Sequence, residues 1–298
     1  MAEATKRYAV VTGGNKGIGF GICKQLASEG ITVVLTARDP KKGLEAVEKL
    51  GSDIGVSGQV IFHQLDVADP TSVSSLANFI RINLGKLDIL INNAGVPGAQ
   101  IDKDALEASM PALAEGAAID FSKVLTETYE LAEECIRTNY YGPKEMCKAL
   151  IPLLEVSDSP KIVNVCSTYG KLQYMPSGWP KGVLSDAESL TEEKLEEVVS
   201  QFLPDFKEGT LEAKGWPAGS SAYTVSKAAL NAYTRILAKK YRSFCINSVC
   251  PGHVKTEFSQ HTGPLTADEG AESAVRLALL PNGSHSGLFF SRSDVTSF

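Results

Sequence analysis

Apolar and polar positions change in blocks along the first third of the chain. Tyr8-Ala-Val-Val-Thr12 is a short β-branched run that stops at glycines, and Ile18 to Glu29 then places apolar residues at helical spacing. The pairing repeats, with a strand at Ile31–Thr36 before a helix at Pro40–Leu50 and a strand at Val60–Leu65 before a helix at Pro70–Leu84. A fourth strand follows at Leu87–Ile91. These runs are apolar almost throughout rather than at every second residue, as in strands covered on both faces. Regular alternation of strand and helix predicts an α/β fold, a parallel sheet with helices on both sides.

Beyond Val96 the pattern loosens. Residues 97–122 are rich in Ala and Gly and read as irregular or weakly helical, and a firm helix from Thr126 to Leu150 carries Asn139. Further strands are expected at Lys161–Cys166 and Phe244–Cys250, with an edge strand near Gly287–Phe290. Between them, residues 169–220 form a connection too long for a simple loop, which points to a functional insertion. Its helix, Thr191–Gly209, has one apolar stripe of Leu195, Val198, Val199, Phe202 and Phe206 opposite Glu192, Glu193, Glu196 and Glu197. The Pro- and Trp-containing stretches 175–180 and 215–217 are placed to roof a pocket. A helix over Ser221–Tyr241 follows.

The chain has 298 residues, which suits a single large domain over 1–298. A net charge of -6 argues against a nucleic-acid partner, because phosphate binding needs a dense basic surface. The longest apolar runs are of strand length, so no membrane span is expected, and the N-terminus has no apolar signal core. The 6 cysteines lack framework spacing, and reduced thiols in a cytoplasmic protein are expected. The 4 histidines offer no metal-ligand spacing.

Three features carry chemistry. Gly13, Gly17 and Gly19 form a glycine turn between a strand and a helix, where a pyrophosphate can approach free N–H groups. At the end of the second strand stands Ala37-Arg38 instead of the carboxylate that holds a ribose 2′-hydroxyl. With Lys16 in the turn, two cations suit a 2′-phosphate, so NADP(H) is expected over NAD(H). Tyr223 and Lys227 lie four residues apart on one helical face, where an ammonium can favour the phenolate of a side chain otherwise titrating near 10.

In chain order, Thr12-Gly-Gly-Asn-Lys-Gly-Ile-Gly19, Leu65-Asp-Val67, Asn92-Asn-Ala-Gly95, Asn139, Ser167, Tyr223-x-x-x-Lys227 and Pro251-Gly-His-Val-Lys-Thr256 resemble the motifs of the short-chain dehydrogenase/reductase family. The resemblance covers nearly the whole chain. It is narrowest with the carbonyl reductase branch, of the plant menthone/neomenthol reductase and salutaridine reductase type. It implies a Rossmann-type doubly wound sheet, NADP(H) as cofactor, and a monomer whose insertion covers the helices other members use to oligomerise. By the same resemblance Gly13, Asn15, Lys16, Gly17, Ile18, Gly19 and Arg38 hold the phosphates. Asp66 and Val67 meet the adenine, and Asn93, Ala94 and Gly95 line its ribose. Pro251, Gly252, Val254 and Thr256 hold the nicotinamide. Ser167 and Tyr223 grip a carbonyl oxygen, Tyr223 gives the proton, Lys227 lowers its pKa and contacts the ribose, and Asn139 connects Lys227 to solvent through a water. Where the family more often has Ser-Ser, this chain has Cys166-Ser167. The implied reaction is reduction of a bulky apolar ketone, plausible for a monoterpenoid or alkaloid of plant secondary metabolism. Alternatives are oxidation of a terpenol by the same residues, reduction of a C=C bond, and a non-catalytic NADPH-binding sensor. The C=C reductases of this branch replace the tyrosine that this chain keeps.

Overall fold

Seven parallel strands and one antiparallel edge strand form the central sheet of the computed structural model, which describes residues 6–52, 58–102, 104–105, 107–108 and 124–298. Strands β1 (Tyr8–Val11), β2 (Thr32–Ala37), β3 (Val60–Gln64) and β4 (Ile89–Asn92) alternate with helices α1 (Gly17–Ser28), α2 (Pro40–Gly51) and α3 (Pro70–Asn83). A separate two-stranded ribbon pairs β5 (Gln100–Ile101) with β6 (Leu125–Thr126). After α4 (Tyr129–Ile136) and α5 (Gly142–Leu154) the chain returns to the sheet as β7 (Lys161–Val165). The insertion holds α6 (Trp179–Ser185) and α7 (Glu192–Lys207), and α8 (Ser221–Lys240) leads to β8 (Cys245–Cys250). Helix α9 (Ala267–Ala278) and strands β9 (Phe289–Ser291) and β10 (Asp294–Thr296) end the fold. The order is β10-β9-β8-β7-β4-β1-β2-β3, so the winding reverses between β1 and β4. A sheet of this kind opens a crevice there, at the carboxyl ends of the strands.

Why the strands are apolar at every position is visible in how their residues divide. Val10, Val34, Leu90 and Ile162 join one core with α3, α5, α8 and the insertion. Their neighbours Val11, Val33, Leu35, Ile91 and Val163 join the opposite core with α1, α2 and α9. Each buried side chain of this size is worth about 1.5–3 kcal/mol, so one polar residue in a strand would cost either layer heavily. Helix α7 lays Leu195, Val198, Val199 and Phe202 into the first core, as its stripe predicts, while Phe206 stays half-buried at its margin.

The helix expected over Thr126–Leu150 is not continuous. Thr126 belongs to β6, and Thr128 caps α4 by accepting from Leu131 N at 3.3 Å. Arg137–Tyr141 then forms a π turn before α5 begins. Pro143 has no N–H to donate to the carbonyl of Asn139, which breaks the α ladder there. Asn139 also holds Val96 from both sides, accepting from Val96 N and donating to Val96 O, each at 2.9 Å. The two-residue strands β5 and β6, and β10, carry too few residues for a sequence pattern to announce them. Most of the irregular stretch expected over 97–122 lies outside the described residues.

Candidate active site

A cavity of about 1040 Å³ opens along the carboxyl ends of the strands. At one end lies the glycine turn. Thr12 Oγ1 accepts from Asn93 N and Ala94 N, both at 2.9 Å, and Asn93 Nδ2 donates to Thr12 O at 2.8 Å. Asn93 is thus a brace for the turn as well as a lining residue. Gly13 and Gly17 have φ of 64° and 55°, a left-handed conformation that favours glycine. A Cβ on Gly19 would lie 2.2 Å from Gly13 O, so the helix could not meet the turn this closely with any other residue. Helix α1 begins after Lys16 with no side-chain cap and no acidic residue in its first turn. Its free N–H groups and dipole favour an anion at this end of the cavity. The cradle therefore fits a dinucleotide pyrophosphate.

Asn15, Lys16, Ile18, Arg38, Asp66, Val67, Ala94 and Gly95 line the same cavity, as do Pro251, Gly252, Val254 and Thr256. The two cations are not bare. Lys16 pairs with Glu257, and Arg38 Nη1 lies 3.6 Å from Glu134 Oε1. The strand-end position after β2 is Ala37-Arg38 rather than a carboxylate, and tertiary packing brings a carboxylate to each cation. Asp66 Oδ1 accepts from Ala68 N at 2.9 Å, which sets its side chain at the strand end. The loop after β8 turns at Gly252, with φ of 87°, and Val254 is buried beneath it.

At the other end, Ser167 stands at the mouth of β7 and its hydroxyl meets Tyr223 on α8. Burial pushes the Tyr223 phenol well above its ordinary range, and the hydrogen bond from Ser167 pulls it down only in part. Lys227 Nζ donates to Val165 O at 2.9 Å and sits 5.8 Å from the Tyr223 ring centre. Burial moves the lysine below its ordinary value. In the free protein, desolvation therefore outweighs the activation of the phenol that the helical spacing suggests. Asn139 lies behind this pair, outside the cavity lining. A Cβ on Gly95 would sit 3.2 Å from Asn139 Oδ1 and 3.7 Å from Lys227 Nζ, so the three residues converge.

Two aromatic neighbours had no sequence signal beyond their nearness to a motif. Tyr169 and Phe258 flank Tyr223, with ring centres at 6.4 and 5.7 Å. Apolar wall comes from Val96, Ile101, Val124 and Leu125. Of the insertion, Tyr169 and its last residue, Ser220, reach the cavity; Met175 and Trp216 are buried within the insertion, and Trp179 borders a separate groove. All six cysteines are free and buried. Among the described residues no group of His, Cys, Asp or Glu is placed to hold a metal ion, and no helix is long and apolar enough to cross a membrane.

Sheet order, glycine cradle and the Ser167–Tyr223–Lys227 cluster together define an oxidoreductase of the short-chain class. Residues 7–178 match the family model for short chain dehydrogenase, and the chain belongs to that family. Over its full length it is 59% identical to the whole of a (+)-neomenthol dehydrogenase from Arabidopsis thaliana. The structure of salutaridine reductase from Papaver somniferum superposes with a TM-score of 0.90 at 52% identity, covering 96% of this chain and 99% of that one. An NADPH-bound carbonyl reductase from chicken fatty liver superposes with a TM-score of 0.66 at 26% identity, covering 98% of this chain and 99% of that one.

Proposed function

We propose that the protein is an NADPH-dependent carbonyl reductase that converts a bulky apolar ketone, a monoterpenoid such as menthone or an alkaloid ketone, to a secondary alcohol. The observation that carries this is the meeting of the Ser167 and Tyr223 hydroxyls on the wall of a cavity that ends in the glycine cradle. NADPH supplies a hydride to the carbonyl carbon when bound. Gly13, Asn15, Gly17, Ile18 and Gly19 hold its pyrophosphate, Lys16 and Arg38 its 2′-phosphate, and Asp66 and Val67 its adenine. Asn93, Ala94 and Gly95 line the ribose, and Pro251, Gly252, Val254 and Thr256 seat the nicotinamide.

Ser167 donates a hydrogen bond to the ketone oxygen as negative charge develops on it. Tyr223 gives that oxygen its proton. Burial raises the pKa of the phenol and keeps it protonated, the form in which it can donate. Lys227 binds the ribose and steadies Tyr223. Asn139, whose carbonyl loses its α-helical donor at Pro143, holds the water that resupplies the proton. Helix α7 packs over α4 and α8, which supports a monomer, and the six reduced thiols suit the cytoplasm.

Replacing Tyr223 by Phe tests this. We expect kcat for a cyclic ketone to fall by about 10²–10⁴-fold with the NADPH dissociation constant unchanged. Full activity in Tyr223→Phe sinks the mechanism. If the wild-type protein binds NADPH yet turns over no carbonyl, the non-catalytic sensor is the better account.

A further inference from the structure

The helix that carries Tyr223 and Lys227 has no cap of its own. Ser220 precedes it with φ of 48°, a left-handed conformation, and makes no side-chain capping hydrogen bond. By contrast Asp39, Asp69, Thr128, Thr191 and Thr266 each cap the helix that follows them. At α8 the free amides are met from elsewhere in the chain. Glu127 Oε2 accepts from Ser221 N at 3.0 Å, and Oε1 accepts from Ser221 Oγ and Ala222 N, both at 3.1 Å. Ser221 is 1% exposed and Ala222 0%, so water cannot stand in for this carboxylate.

Glu127 also sits at a junction. It directly follows β6, whose Leu125 lines the cavity, and directly precedes the α4 segment that leads to Asn139. One side chain thus ties the apolar wall and the Asn139 helix to the first turn of the Tyr223 helix. Tyr223 is two residues beyond Ser221, within the turn that Glu127 grips. Proton transfer needs the phenol within about 2.6–3.2 Å of its partner. A displacement of about 1 Å in a reacting group can cost about 10²-fold in rate.

We propose that Glu127 is a positioning residue for the reduction: it fixes the first turn of α8 so that the Tyr223 hydroxyl meets the ketone oxygen alongside Ser167. This rests on the reading of Tyr223 as the proton donor. Three variants test it, each assayed for kcat, for the KM of NADPH and for melting temperature. Glu127→Ala lowers kcat by about 10–100-fold while the KM for NADPH stays within about two-fold, because the phosphate cradle is untouched. Glu127→Gln keeps one oxygen acceptor but turns its amide NH2 towards a donor that needs an acceptor, and lowers kcat by about three-fold, less than Glu127→Ala does. Thr191→Ala removes a comparable cap from α7, none of whose residues lines the cavity, and leaves kcat within about two-fold despite its own loss of melting temperature.

A Glu127→Ala enzyme with wild-type kcat overturns the proposal. So does a kcat loss matched by Thr191→Ala at equal destabilisation. If Glu127→Ala does not fold, Glu127→Gln decides alone: an unaltered kcat overturns the proposal, and a loss confined to kcat supports it. The Tyr223→Phe enzyme separates the two levels. An inactive Tyr223→Phe beside a fully active Glu127→Ala removes only the positioning role, whereas an active Tyr223→Phe removes the reading beneath it.

Discussion

Arg38 illustrates what a single side chain owes to its sequence and what to its surroundings. Ala37-Arg38 in place of a carboxylate at the end of β2 points to a 2′-phosphate, and that part is visible in the sequence. The fold then places Glu134 at 3.6 Å from the guanidinium, across a gap of nearly a hundred residues. Both partners are exposed, and such a pair is worth about 0–1 kcal/mol, too little to hold Arg38 against a doubly charged phosphate. Arg38→Asp should therefore weaken NADPH by at least about ten-fold, since several charge-assisted contacts change sign, while NADH binding stays nearly constant. Fluorescence titration with both cofactors measures this, and equal losses for the two would refute the phosphate role.

The insertion shows how one buried charge can organise an element. Asp205 is 1% exposed and accepts from Gln201 Nε2 at 2.6 Å, Lys214 Nζ at 2.7 Å and Trp216 Nε1 at 2.8 Å. Burial alone would raise its pKa, but the hydrogen bonds from Lys214, Trp216 and Gln201 outweigh it and hold the carboxyl below its ordinary value. This hub locks the turn around Trp216 onto α7, and α7 in turn covers α4 and α8. Asp205→Ala leaves the buried Trp216 indole N–H without its acceptor, while Gln201 and Lys214 can turn to solvent, and should cost about 1–3 kcal/mol. Thermal denaturation measures the loss. Light scattering on the same samples should give a monomer for the wild type and self-association where the cover has loosened. The amphipathic pattern announces α7 plainly, whereas Asp205 in the sequence is one acid among many, and nothing local marks it as a hub.

Across the entire cavity, one physical effect acts on two groups in opposite senses. Desolvation raises the Tyr223 phenol and lowers the Lys227 ammonium, since it disfavours the charged form of each. A phenol raised above about 10 keeps its proton through neutral and mildly alkaline conditions. Reduction needs that proton, so kcat/KM for the ketone should hold level to about pH 9 and fall only above it. Oxidation of the alcohol needs the phenolate, so its kcat/KM should climb over the same range. Profiles in both directions check the sign, and a reductive limb that falls near pH 7 would contradict it.

Strand and helix alternation, the glycine turn, and the spacing of Tyr223 from Lys227 are local patterns, and local patterns follow from the residues alone. They are enough for the parallel sheet, its two cores and the two ends of the cavity. Contacts between distant segments obey no local period. The break at Asn139, the carboxylates beside Lys16 and Arg38, the aromatic flanks of Tyr223 and the grip of Glu127 on α8 depend on which surfaces meet once the sheet has closed. The same holds for the protonation of Tyr223. Its neighbours in sequence favour the phenolate, and its burial in the folded protein reverses that preference.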